Sequence, residues 1–125
     1  MLNLDTHIVV ALLSGDLGRR EHDLIAGDSL AISDVVLWEL AKLVQLRRLE
    51  FDFEDAGFVA FHRSATIFPI TIEIARASTK LDFNSDPADE IIAATSIVER
   101  IPLLTRDRRI LKSKRVPLAS TRSVD

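Results

Sequence analysis

The 125-residue sequence predicts an α/β domain built on a parallel sheet with helices over both faces. Three observations carry this. Short runs that are apolar throughout, rather than alternating, recur as LNLD, SLAIS, TIFPI, PLLT and VPLA, the pattern of strands buried on both sides. Segments of helical periodicity separate them. No repeat, low-complexity tract or linker divides the chain, so residues 1–120 are expected to form one domain and 121–125 a C-terminal tail.

The elements follow in order. LNLD gives a first strand, ended by Asp5, which can cap the helix THIVVALLSG; a second helix runs around 18–26. SLAIS at 29–33 is the next strand, and DVVLWELAKLVQLRRLE at 34–50 reads as one long helix capped by Asp34. A helix at 54–65, the strand TIFPI and a helix at 72–81 come next. The helix at 87–100 opens on SDPADE, where Asp86 suits the cap, Pro87 the first turn, and Asp89 and Glu90 the positive end of the helix dipole. The strand PLLT at 102–105, a short helix from Asp107, and the strand VPLA at 116–119 complete the pattern.

Composition narrows the class. A hydrophobic fraction of 47% with 28% charged residues fits a compact soluble domain. The absence of cysteine excludes disulfides and thiolate metal sites. The N-terminal stretch does not read as a secretory leader, and the apolar run at 8–13 is too short to span a bilayer, so a cytoplasmic protein without membrane contact is expected. The net charge of −3 argues against a nucleic-acid coat. Its distribution is uneven: from Arg100 to Arg122 eight basic residues face one acid, Asp107. Solvated surface charge is the common explanation of such a run; contact with phosphate is the other.

In a parallel α/β sheet, ligands bind at the carboxyl ends of the strands, where the strand order reverses. Asp5 ends the first strand, and Asp107 follows PLLT after one residue. Asp86 and Asp89 begin a helix that runs antiparallel to the strands, so they share the same edge. Each acid taken singly has a capping explanation, and Asp34 is assigned only that. Glu39 is different, because on its helix it shares a stripe with Val35, Val36, Leu43 and Leu46. An ionised carboxylate there needs a partner. Lys42, three residues on, is one candidate; a cation shared with the other acids is the alternative. Clustered carboxylates suit a hard cation, Mg2+ or Mn2+, which activates water and stabilises charge on a phosphoryl group. Ser33 and Thr105 offer supporting hydroxyls. One metal and two are equally compatible with the sequence.

The array LDTHIVVALL, Glu39 within SDVVLWELAKL, DPADEIIAATS and LLTRDRRIL resembles the PIN-domain ribonucleases, and among them the VapC-type toxins of bacterial type II toxin–antitoxin pairs. The match spans nearly the whole chain in the family order. The resemblance implies a three-layer α/β/α sandwich and an Mg2+- or Mn2+-dependent endoribonuclease. It places the family's acids on Asp5, Glu39, Asp89 and Asp107, and leaves Asp86 as a helix cap and outer support. Thr105 matches a hydroxyl residue two positions before the last acid. A homodimer and a small VapB-like antitoxin are also implied, with RNA as substrate; Arg106, Arg108 and Arg109 are the candidate RNA contacts. One departure stands out: many relatives carry Arg where this chain has Glu90, read here as a solvent-facing helix acid.

Two rivals fit poorly. A phosphoacceptor receiver domain wants an adjacent acidic pair and an Asp after a central strand, but Leu4 precedes Asp5 and Thr71 follows TIFPI. A haloacid-type phosphatase wants a second Asp where His7 stands. His7, His22 and His62 lack metal-ligand spacing. A PIN-fold binding or regulatory protein with weak catalysis, and a PIN nuclease with no toxin role, stay open as alternatives.

Overall fold

A computed structural model describes residues 1–120. The expected tail at 121–125, with Arg122, lies outside the described residues. Four parallel strands form one sheet in the order β3-β2-β1-β4: β1 Leu2–Leu4, β2 Leu30–Ser33, β3 Thr66–Phe68 and β4 Leu103–Leu104. The register pairs Leu2 with Leu30, Asn3 with Leu103, and Ala31 with Thr66. Among the described residues seven helices flank the sheet in a three-layer α/β/α sandwich: α1 Thr6–Ser14, α2 Arg19–Ala26, α3 Val35–Gln45, α4 Ala56–Ser64, α5 Ile72–Ser78, α6 Pro87–Glu99 and α7 Arg108–Leu111. No helix among the described residues is long and apolar enough to cross a membrane.

β1, β2 and β4 are largely buried because both faces of the sheet are covered there, while the edge strand β3 is partly exposed. Leu4, Ile32, Leu103 and Leu104 are fully buried, together with Ile8 and Val9 of α1, Val36 and Leu40 of α3, and Ile92 and Ala93 of α6. The small residues of α6 let it lie close against α5, α3 and β2. Asn3, buried in the middle of β1, donates from Nδ2 to the Ile92 carbonyl at 3.2 Å and to Ser96 Oγ at 2.9 Å. This bond pair ties α6 to the central strand.

Three elements differ from expectation. The segment 116–119 contributes one isolated bridge, Leu118 to Leu103, instead of a strand. Pro117 has no N–H to continue a ladder, though its carbonyl accepts from Leu103 N at 2.9 Å. The long helix ends at Gln45 rather than 50. Arg47 adopts a left-handed φ of 58°, its N–H reaching the Val44 carbonyl and that of Arg48 reaching Leu43, which closes the last turn. No glycine marks this stop, which is why the sequence concealed it. The helix at 72–81 ends at Ser78 in a tighter turn. Asp34 does not cap α3, because its own backbone is already helical. Ser33, one residue earlier, takes that role through a 3.3 Å bond from Val35 N to its Oγ.

The strand order sets the site. From β1 the chain steps one way to β2 and β3, and then returns to place β4 on the other side of β1. The carboxyl ends of β1 and β4 therefore flank the reversal point of the sheet.

Candidate metal centre

Asp5 leaves β1 at this reversal point and is 1% exposed. It caps α1, accepting at Oδ1 from Thr6 N at 2.8 Å, and at Oδ2 it accepts from Thr105 Oγ1 at 2.6 Å. Capping and a second duty are thus compatible in one carboxylate. Burial raises its pKa; the bonds from Thr105 and Thr6 oppose that, and the charge of Asp107 adds to it.

Glu39 projects from the second turn of α3 and is half-buried. Its partner is Thr6, whose Oγ1 donates to Oε1 at 2.5 Å. Lys42 turns elsewhere, donating to Gln45 Oε1 at 2.9 Å with its ammonium 5.8 Å from the centre of the Trp38 ring. Burial again raises the Glu39 pKa, with the charges of Asp5 and Asp86 adding to the effect.

Asp89 is the third residue of α6, where Pro87 sets the helix start. Ser85 Oγ donates to its Oδ2 at 2.9 Å. Burial, reinforced by the charges of Asp5, Glu39 and Asp107, pushes its pKa up to about 6.

One carboxylate oxygen each from Asp5, Glu39 and Asp89 lies within 4.8 Å of the others. Among the described residues no ion pair reaches any of the three. Three partly or wholly buried carboxylates with raised pKa values and no cationic partner form an oxygen-only donor set. Such a set fits a hard divalent cation, which would relieve both their burial and their repulsion.

Asp107 stands beside this triangle. Its Oδ1 caps α7, accepting from Arg109 N at 2.8 Å and Ile110 N at 3.3 Å, and its own N–H donates to Thr105 Oγ1 at 3.0 Å. Its charge still raises Asp5 and Asp89. Thr105 thus touches both Asp5 and Asp107.

Other expected residues fall differently. Asp86 occupies the cap position of α6 but its carboxylate makes no capping bond; only its carbonyl starts the helix, accepting from Glu90 N. The mouth of α6 is organised instead by Pro87, Ser85 and Glu90. Glu90 is half-buried rather than solvent-facing, and its Oε2 accepts from Ser85 N at 3.4 Å. Ser33 makes its hydrogen bond to the start of α3 and none to the acids, because the cap of α3 falls to it. Arg106 is held by the buried Glu21 through bonds of 2.8 and 2.7 Å, and also donates to the Asp16 carbonyl at 3.0 Å. This pair, which also lowers the Glu21 pKa, engages the guanidinium that the sequence assigned to RNA. Arg108 is exposed, and Arg109 donates from Nη1 to the Asn84 carbonyl at 3.5 Å.

Thr6 and Ser85 were missed by reasoning from sequence. Thr6 directly follows Asp5, and Ser85 precedes Asp89 by one helical turn, so spacing was the available signal.

The sequence profile described as PIN domain matches residues 3–116. The chain belongs to the PIN domain family. Solved structures share its fold over nearly all of its length. A toxin–antitoxin complex from Klebsiella pneumoniae superposes with a TM-score of 0.73 at 21% identity, covering 99% of this chain and 100% of that one. VapBC2 from Rickettsia felis, bound to a DNA fragment from its promoter, gives 0.70 at 19% identity, over 95% and 98%. FitAcB from Neisseria gonorrhoeae gives 0.71 at 18% identity, over 97% and 98%. At these identities the likeness is one of fold. Comparison with curated proteins finds no match. In this PIN domain the acids gather at the sheet's reversal point, on elements from both ends of the chain.

Proposed function

We propose that this PIN domain is a divalent-metal-dependent endoribonuclease, acting as the VapC-type toxin of a type II toxin–antitoxin pair. The observation that carries the proposal is the triangle of Asp5, Glu39 and Asp89, three carboxylates with no cationic partner among the described residues, at the reversal point of a PIN sheet. Asp5, Glu39 and Asp89 would hold Mg2+ or Mn2+, with Asp107 completing the acidic set from the start of α7. When bound, the cation supplies positive charge against a phosphodiester and lowers the pKa of water.

The chain's own residues do the rest. Thr105 and the Thr6 N–H hold the two oxygens of Asp5, and the Thr6 hydroxyl holds one oxygen of Glu39, so both carboxylates are fixed in orientation. Burial and mutual repulsion favour a cation over protons as the pH rises above about 6, the pKa of Asp89. Asp86 at the rim belongs to the same negative field, as outer support. Arg108 and Arg109 on α7 are the basic groups proposed to meet RNA phosphates beside Asp107. Single-stranded RNA is the expected target, since base edges in a regular RNA helix are poorly accessible.

The toxin assignment rests on the fold shared with a protein described as a toxin–antitoxin complex and with VapBC2 and FitAcB. It brings with it a small VapB-like antitoxin, a homodimer and a cytoplasmic setting. The test is incubation of purified protein with total cellular RNA and Mg2+ or Mn2+, with ends mapped by sequencing. Discrete cuts lost with chelator and in Asp89→Asn establish the nuclease. Folded, antitoxin-free protein that makes no cuts with either metal overturns it in favour of a PIN-fold binding protein.

A further inference from the structure

The loop between α5 and α6 delivers Asp89 to the triangle, and it is fastened at several points. Asp82 accepts from Ser113 Oγ at 2.6 Å and from Lys114 N at 2.8 Å. Arg115 Nη1 donates to the Lys80 carbonyl at 2.5 Å, and Arg109 Nη1 to that of Asn84. α7 and the segment after it thereby hold residues 80–84. The next residue, Ser85, is fixed at both its backbone and its side chain. Its N–H donates to Glu90 Oε2 and its hydroxyl to Asp89 Oδ2.

We infer that Ser85 is a positioning residue for the metal centre: it fixes which Asp89 oxygen faces Asp5 and Glu39, and Glu90 in turn fixes Ser85. The inference rests on the metal-centre reading proposed above. A hydroxyl donating to one carboxylate oxygen fixes the rotation of the carboxylate, as Thr6 does for Glu39 and as Thr105 does for Asp5 together with the Thr6 N–H on the other oxygen. Each acid of the triangle therefore has its own hydroxyl donor. Glu90 gains a specific duty: its carboxylate accepts the Ser85 N–H at 3.4 Å at the mouth of α6, a bond that a cationic side chain cannot make.

The test is calorimetric titration of Mn2+ into metal-free protein, comparing wild type, Ser85→Ala and Ser85→Thr, with unfolding in chelator as a check on the fold. Loss of an outer hydrogen-bond partner weakens metal binding by about tenfold or more. Ser85→Ala is expected to show that loss, while Ser85→Thr, which keeps the hydroxyl, stays within about threefold of wild type. Should Ser85→Ala not fold, Ser85→Cys, of similar size but a weak donor, is expected to fall on the alanine side. Equal Mn2+ affinity in wild type and Ser85→Ala overturns the inference alone. Absence of Mn2+ binding by folded wild type overturns the metal-centre reading and the inference with it.

Discussion

Replacing Asp89 by Asn is expected to make the metal-free protein more stable while weakening its hold on a divalent cation. Asn has nearly the same shape and keeps an oxygen to accept from Ser85 Oγ. The replacement removes a charge that the fold disfavours. The carboxyl ionises at 3.8 in its ordinary state and at about 6 here. Between those values the folded protein holds a proton that the unfolded chain has released, so stability falls as pH rises through the window. Above about 6 the whole cost stands. At about 1.4 kcal/mol per pKa unit the gap of roughly two units sets an upper bound of about 3 kcal/mol. Asp89 is only half-buried, and solvent screening reduces this to about 1–2 kcal/mol. Urea unfolding followed by circular dichroism, in chelator at about pH 8, should show Asp89→Asn more stable by that amount, with most of the difference gone at about pH 4. Added Mn2+ should reverse the order, because only the wild type gains the full binding energy. A variant less stable than wild type in chelator at about pH 8 would refute the idea that Asp89 stands in an uncompensated acidic cluster.

Other outcomes follow from the same geometry. Mn2+ affinity measured by titration should fall steeply as the pH drops through about 6, since Asp89 must release its proton and burial also raises Asp5 and Glu39; a flat profile between about pH 5 and 7 argues against this donor set. Lys42→Ala should change stability by less than about 0.5 kcal/mol, because Lys42 meets exposed Gln45 and Trp38 rather than Glu39. A loss above about 1 kcal/mol would restore the view of Glu39 as half of a structural ion pair. Arg106→Ala should cost about 1–2 kcal/mol in denaturant unfolding by stranding the buried Glu21 carboxylate, discounted because Arg106 itself is 45% exposed. Adding Glu21→Gln should recover part of that loss; no recovery would mean that the arginine acts through packing alone.

The parallel sheet was legible because its strands are apolar on both sides and separated by helical periods, and the acids at their ends were legible from position alone. Asp5 follows β1 directly, and Asp89 opens a helix that returns toward the same edge. Glu39 stood out because a carboxylate in an apolar stripe has few stable explanations. Element ends were harder to read. α3 stops at a non-glycine left-handed residue, Arg47, and 116–119 shrinks to a bridge because Pro117 lacks a donor. Neither stop changes the periodicity of the residues before it.

What the sequence determined by itself was the class of fold and the acidic character of its reversal point, because strand burial and helix starts are local properties of the chain. Which oxygen meets which donor was decided only by the tertiary structure. Thr6 and Glu39 are 33 residues apart, Asp5 and Thr105 are 100 apart, and Arg106 and Glu21 are 85 apart. The fold brings Glu21 to the Arg106 guanidinium, and Thr6 rather than Lys42 meets Glu39. Helical spacing makes neighbours possible, but side-chain direction and competing donors from distant strands settle the pairing.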